Sequence, residues 1–190
     1  MGDERHAVAD AIAAWAEASA PATTAGTAAA PSVARPTPRS VAAGAVVELR
    51  EVTGETVRDV CRLQVQPSQR GYVAPNAVSF AEALFAPQAW HRAVYADERP
   101  VGFVMLYEDR DKREYFLWRF MIAGDRQGLG YGRRALELVV EHVRTLPDAA
   151  ALLTSWVPGP GSPEAFYRAF GFEPTGEVDE GEIVGRLALE

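Results

Sequence analysis

The residues with the clearest chemical potential lie between 120 and 134. Gln127-Gly128-Leu129-Gly130-Tyr131-Gly132 places glycine at every second position, follows an apolar stretch, and leads into an amphipathic segment that carries Arg133 and Arg134. Glycines let a backbone bring its N–H groups close to a ligand. A helix N-terminus adds unpaired donors and a partial positive charge, and together these suit a pyrophosphate. The spacing does not fit a dinucleotide-binding G-x-G-x-x-G, and the chain has no Gly-Lys-Ser/Thr of a Walker A loop at this turn. On the glycines alone, a purely structural turn is an equal alternative. Tyr167, between Phe166 and Phe170, reads on composition as a core aromatic, and Glu108 lies at a strand end. His91 begins a strand and His142 sits on the solvated part of a helix, so both read as structural or surface residues. No Ser–His–Asp arrangement or metal-ligand spacing stands out.

These groups need a scaffold, and hydrophobic periodicity supplies one. Residues 46–51 form an opening strand and 53–64 a helix. Residues 65–78, with Pro67, Gly71, Pro75 and Asn76, read as loop. Ser79-Phe80-Ala81-Glu82 reads as a capping box that opens a short helix ending before Pro87. Strands at 93–96 and 101–107 are joined by Asp97-Glu98-Arg99-Pro100. In the strand 115–122, Phe116, Trp118, Phe120 and Ile122 face one way, and Tyr115, Leu117, Arg119 and Met121 the other. Apart from Arg119 it has the apolar content of a central strand. Leu136, Val139, Val140 and Val143 make the stripe of a helix over 130–145. A strand at 150–156 follows, then a helix from Ser162 to the C′ glycine Gly171, and a closing hairpin of 172–177 with 182–189. The order β-α-α-β-β-β-α-β-α-β-β predicts an α/β (α+β) domain, a mixed sheet with helices on both faces.

Composition bounds what such a domain does. Of 190 residues, 26 are acidic and 19 basic, a net charge of −7 that disfavours nucleic acid and favours a cationic ligand. Cys61 is the only cysteine, which excludes an intrachain disulfide and points to a reducing compartment. No apolar run approaches the roughly 20 residues that span a bilayer, and the first residues lack a signal-peptide pattern, so a cytoplasmic protein without membrane contact is expected. Residues 1–44 are rich in Ala, Thr, Pro and Ser. They read as a disordered tail with a short helix near 6–17, ahead of a folded domain at 45–190.

Gln127–Gly132 matches the Q/R-x-x-G-x-G/A motif of the GNAT superfamily of N-acetyltransferases. Ala165-Phe166-Tyr167-Arg168-Ala169-Phe170-Gly171-Phe172 resembles its later F/L-Y-x-x-x-G-F motif. The resemblance covers about 45–190 and implies the GNAT fold, with acetyl-CoA as co-substrate and no metal. It implies that main-chain groups of Phe120, Met121 and Ile122 pair with the pantetheine arm, because the next strand splays away there. The N–H groups from Gln127, Gly128, Leu129, Gly130, Tyr131 and Gly132 would hold the pyrophosphate, with Arg133 adding charge beside it. Transfer to an amine would be direct, within a ternary complex, and Tyr167 would protonate the CoA sulfur. Many GNAT enzymes carry a carboxylate on the strand that here offers Trp118 and Arg119. That departure leaves Glu108 or a water relay as the base.

Tyr72-Val73-Ala74-Pro75-Asn76, Trp90, residues 115–122 and Gly181-Glu182-Ile183-Val184 look similar to the spermine/spermidine (diamine) N-acetyltransferase branch. A small-molecule polyamine is therefore the expected acceptor, and a homodimer is one assembly open to the protein. An aminoglycoside-like or protein amine, or a non-catalytic acyl-CoA sensor, are the alternatives. Two acidic groups, Glu108/Asp109/Asp111 and Glu177/Asp179/Glu180/Glu182, would attract a polycation if they converge. Arg119 would instead suit a carboxylate-bearing acceptor, and Glu82 is assigned to its capping box.

Overall fold

The computed structural model describes residues 44–189. The expected tail and its helix near 6–17 lie outside the described residues. Seven strands form one sheet in the order β1-β2-β3-β4-β5-β7-β6. They are β1 (Val47–Arg50), β2 (Ala89–Ala96), β3 (Arg99–Asp109), β4 (Glu114–Ile122), β5 (Ala151–Trp156), β6 (Glu173–Asp179) and β7 (Glu182–Ala188). All neighbours are antiparallel except β4 and β5. Helices α1 (Val57–Arg62) and α2 (Asn76–Ala83) pack on one face, α3 (Tyr131–Val143) and α4 (Glu164–Phe170) on the other. The expected mixed sheet with helices on both faces is the observed one.

Leu136, Val139, Val140 and Val143 are all buried, as the helical stripe requires, against Val104, Leu106 and Leu117 of the sheet. Val60 of α1 and Phe80 of α2 cover the opposite face, against Phe103, Met105 and Met121.

Three local expectations are corrected. The first helix starts at Val57, because Thr53–Thr56 closes a turn in which the Thr56 hydroxyl accepts the Thr53 N–H. The second starts at Asn76, three residues before the proposed cap. Pro75 supplies the entry, its carbonyl accepting the N–H groups of Val78 and Ser79. Ser79 is therefore buried inside the helix and caps nothing, and Glu82 is released from the role assigned to it.

The third correction concerns β4. Met105 pairs with Arg119 but Leu106 with Leu117, so Trp118 is an extra residue, a β-bulge. The bulge breaks the expected alternation. Tyr115 and Leu117, then Phe120 and Ile122, pack on the α3/α4 side, while Trp118 and Met121 pack under α1 and α2.

Candidate active site

The β4–β5 pair is the sheet's one parallel neighbourhood, and it is short. Only Phe116↔Leu153 and Leu117↔Thr154 are in register, although β4 continues to Ile122 and β5 to Trp156. The strands part beside the bulge. In an antiparallel strand, alternate residues aim their N–H and C=O groups away from the neighbour they pair with. Beyond Leu117, those of β4 therefore face the gap and not β3. Some are capped by side chains: Thr154 Oγ1 donates to the Leu117 carbonyl at 3.2 Å, Gln127 Nε2 to Ile122 O at 2.9 Å, and Arg119 Nη1 to Trp118 O at 2.9 Å.

At the carboxyl end of this gap the chain makes a one-turn 3-10 segment, Gly124–Arg126, and enters α3. Gly128 (φ 74°) and Gly130 (φ 83°) occupy the left-handed region, and Gly130 is the N-cap without a capping side chain. The first N–H groups of α3 have no intrahelical partner, so the turn has an anion-binding character. Gln127 spends its side chain on structure, bonding Gln69 Oε1 at 2.8 Å as well as Ile122. Gln66 Nε2 donates to Gly124 O at 2.6 Å. The segment around Gln66–Gln69 thus braces the glycine turn. Arg133 and Arg134 run down the helix to Glu137 and Glu141, and Arg133 also lies over the Phe170 ring. Tyr131 is buried in the core, and Leu129 packs against it.

Tyr167 is brought to the point where the strands part. Its ring, 5 % exposed, touches Trp156 and Phe172, with centroids 5.7 and 5.5 Å away. Its phenol bonds Thr154, the residue whose hydroxyl proton goes to Leu117 across the last β4–β5 pair. Burial pushes the phenol up to about 12, against the smaller effect of Thr154. It is therefore fully protonated at neutral pH.

A parted parallel pair, a glycine turn entering a helix, and a buried tyrosine at the split set a specific pattern to compare with known proteins. The family model described as "Acetyltransferase (GNAT) family" matches residues 51–172. The chain belongs to the GNAT family. It is similar to the spermine/spermidine N(1)-acetyltransferase of Bacillus subtilis (strain 168), with 25 % identity over 139 residues, 70 % of this chain and 91 % of that protein. Among solved structures, an acetyltransferase from Thermus thermophilus has a TM-score of 0.61 at 20 % identity, covering 75 % of this chain and 97 % of that one. Spermidine N-acetyltransferase from Vibrio cholerae, solved in complex with CoA and spermine, has a TM-score of 0.59 at 16 % identity, covering 75 % and 95 %. These structures share the fold. The chain is a GNAT-type N-acetyltransferase.

The GNAT frame separates the remaining charged residues. Glu108 is not brought to Tyr167. It pairs with Tyr115 at the start of β4, the end of the sheet away from the glycine turn. Both its oxygens are engaged, by His142 Nε2 at 2.7 Å and Arg110 at 3.0 Å. Burial pushes its carboxyl up, but the hydrogen bonds from His142 and Arg110 outweigh this and hold it below the usual carboxylate range. Such a group is a poor base. His142, expected in solvent, is instead half-buried and stacked on Trp90 at 4.0 Å. His91 is enclosed by Phe80 and Phe103, and burial and then Arg92 lower its pKa, keeping it neutral.

The two acidic groups do not converge. Glu108 and Asp109 lie at the opening end of β4, whereas the β6–β7 tip extends past Trp156↔Ile183 at the carboxyl end of β5. Arg119 and Glu82 form a bidentate pair from the bulge to α2, at 3.0 and 3.2 Å, so the strand arginine already has its carboxylate. Sequence reasoning missed that pair and the role of Thr154. Residues 37 apart on different elements carry no local signal of contact.

Among the described residues no helix is long and apolar enough to cross a membrane, and no group of three or more His, Cys, Asp or Glu could hold a metal ion.

Proposed function

We propose that this domain acetylates a primary amine from acetyl-CoA, directly in a ternary complex, and that the acceptor is a polyamine such as spermidine or spermine. The observation that carries the reading is the parting of β4 and β5 at Leu117–Thr154, with the Tyr167 phenol tied to that pair and the α3 N-terminus at the same end of the sheet. On the edge over Phe120, Met121 and Ile122 alternate residues face the gap and Gln127 takes the Ile122 carbonyl, and the main-chain groups that remain suit the amides of a pantetheine arm. The N–H groups from Gln127 to Gly132 suit a pyrophosphate, with the charge of Arg133 beside them. Acetyl-CoA, when bound, supplies a thioester carbonyl open to attack and a thiolate as leaving group.

The protein's own part is positional and protonic. Tyr167 Oη holds a proton at every physiological pH, in a site dry enough to keep it there, and gives it up at the sulfur position. The acceptor must arrive or become neutral, since a primary amine has a pKa near 10. Arg119 is paired with Glu82 and so is not left to favour a carboxylate-bearing acceptor, which supports a simple amine. The similarity to relatives named for spermine and spermidine supports the polyamine within that class. The family match begins at residue 51, so we further propose that 1–44 stand outside the catalytic domain.

Thiol release with acetyl-CoA against spermidine, spermine, an aminoglycoside and free amino acids tests the reading. The polyamines should give the highest kcat/KM; an aminoglycoside or amino acid turned over tenfold better would replace them.

A further inference from the structure

The β6–β7 tip carries four carboxylates, and one of them is placed unlike the others. Glu182 opens β7 and is half-buried, whereas all of β6, including Glu177 and Asp179, is exposed. Ser155 pairs with Val184 and Trp156 with Ile183, so Glu182 lies diagonally across from Ser155 on the same face of the sheet. The Ser155 hydroxyl donates to Glu182 Oε2 and orients the carboxylate. Ser155 is the residue after Thr154, where β5 leaves β4. Trp156, the next residue, turns its ring to Tyr167 on the opposite face. Glu182 is close enough to the phenol for its charge to act there. Among the described residues no lysine, arginine or histidine is within ion-pair distance of it, while Glu82, Glu108 and Glu164 each have a cation.

A fixed carboxylate without an ion-pair partner among the described residues, on the strand beside β5 and near enough for its charge to act on the Tyr167 phenol, has a specific use. It cannot serve the attacking nitrogen well, because a neighbouring negative charge favours the ammonium form and opposes attack. It serves a second nitrogen of the same acceptor, one that stays protonated throughout transfer. We propose that Glu182, oriented by Ser155, anchors the distal ammonium of a di- or polyamine while its neutral terminal nitrogen attacks. This rests on the polyamine reading and names the residue that would select for it.

The experiment compares 1,4-diaminobutane with butylamine, which has the same chain length and no second nitrogen, in the full chain and its variants. For Glu182→Gln, a lost charge-assisted hydrogen bond raises KM for diaminobutane by about 10–100-fold. The kcat for diaminobutane should change little, and KM for butylamine (or its inhibition constant against spermidine, if it is not turned over) should stay at the wild-type value. Ser155→Ala keeps the charge and loses its orientation, and should show a smaller rise with the same selectivity. Equal losses for both amines, or a fall in kcat alone, would make Glu182 structural or a base and overturn the anchor. A variant that still prefers diaminobutane by the wild-type ratio also overturns it. If the wild type itself does not prefer diaminobutane, the polyamine reading fails first, and that outcome is separate.

Discussion

Replacing Tyr167 by phenylalanine removes one oxygen and leaves the ring against Trp156 and Phe172. Thr154 keeps its bond to the Leu117 carbonyl, so no buried donor is stranded. The cost to folding is that of one hydrogen bond, about 0.5–1.5 kcal/mol. For a chain of this size that is a fall in Tm of about 2–4 °C per kcal/mol. The cost to catalysis is much larger if the phenol is the acid. General acid catalysis contributes about 10²–10⁴-fold, equivalent to about 3–5 kcal/mol of barrier. Stopped thiol-release assays at saturating acetyl-CoA give kcat, and calorimetry gives the acetyl-CoA Kd. We expect kcat to fall by that factor, with Kd and the amine KM nearly unchanged. Because burial sets the phenol at about 12, the wild-type rate should show no alkaline loss from this group up to about pH 11. A phenylalanine variant with wild-type kcat and the small drop in Tm would show that Tyr167 is a core aromatic only.

Gly128→Ala places a methyl in open space but at φ 74°, where a side chain costs about 1–2 kcal/mol, so Tm should fall by a few degrees and acetyl-CoA binding should weaken about tenfold; in Gly132→Ala the new Cβ rests 3.5 Å from Ile122 and Phe166, and binding should hold. Calorimetry on both checks this, and equal affinities would remove the turn from the phosphate site. Glu108 is held below its ordinary value of 4.5, so the stability it contributes is complete above that pH and lost as pH falls through the lower folded value. Glu108→Gln should flatten the acid limb of Tm against pH while kcat at neutral pH stays within about threefold; a hundredfold fall would restore it as the base. Deleting residues 1–44 should leave kcat/KM within about tenfold, measured by the same thiol assay on the purified domain.

The strand, turn and helix at 120–132 were legible because every signal there is local: glycine spacing, an apolar strand before it and a helical stripe after it. Tyr167 came from a contiguous motif in the same way. The bulge at Trp118 was not legible, since Phe116, Trp118, Phe120 and Ile122 continue an unbroken alternation that only the pairing with Met105 and Leu106 interrupts. Ser79 and Glu82 satisfied the spacing of a capping box, but Pro75 had already started the helix and tertiary contact had taken Glu82 for Arg119. Whether Glu108 and Glu182 share a site depends on the strand register, which a sequence of charged turns does not reveal.

Direct product analysis is the sharpest test of the proposed reaction. Incubated with acetyl-CoA and spermidine, the protein should yield spermidine carrying one acetyl group on a primary nitrogen, seen by mass spectrometry, in step with the free thiol released. Thiol release without acetylated spermidine would mean hydrolysis of the thioester, and no release with any polyamine would mean the acceptor belongs to another class.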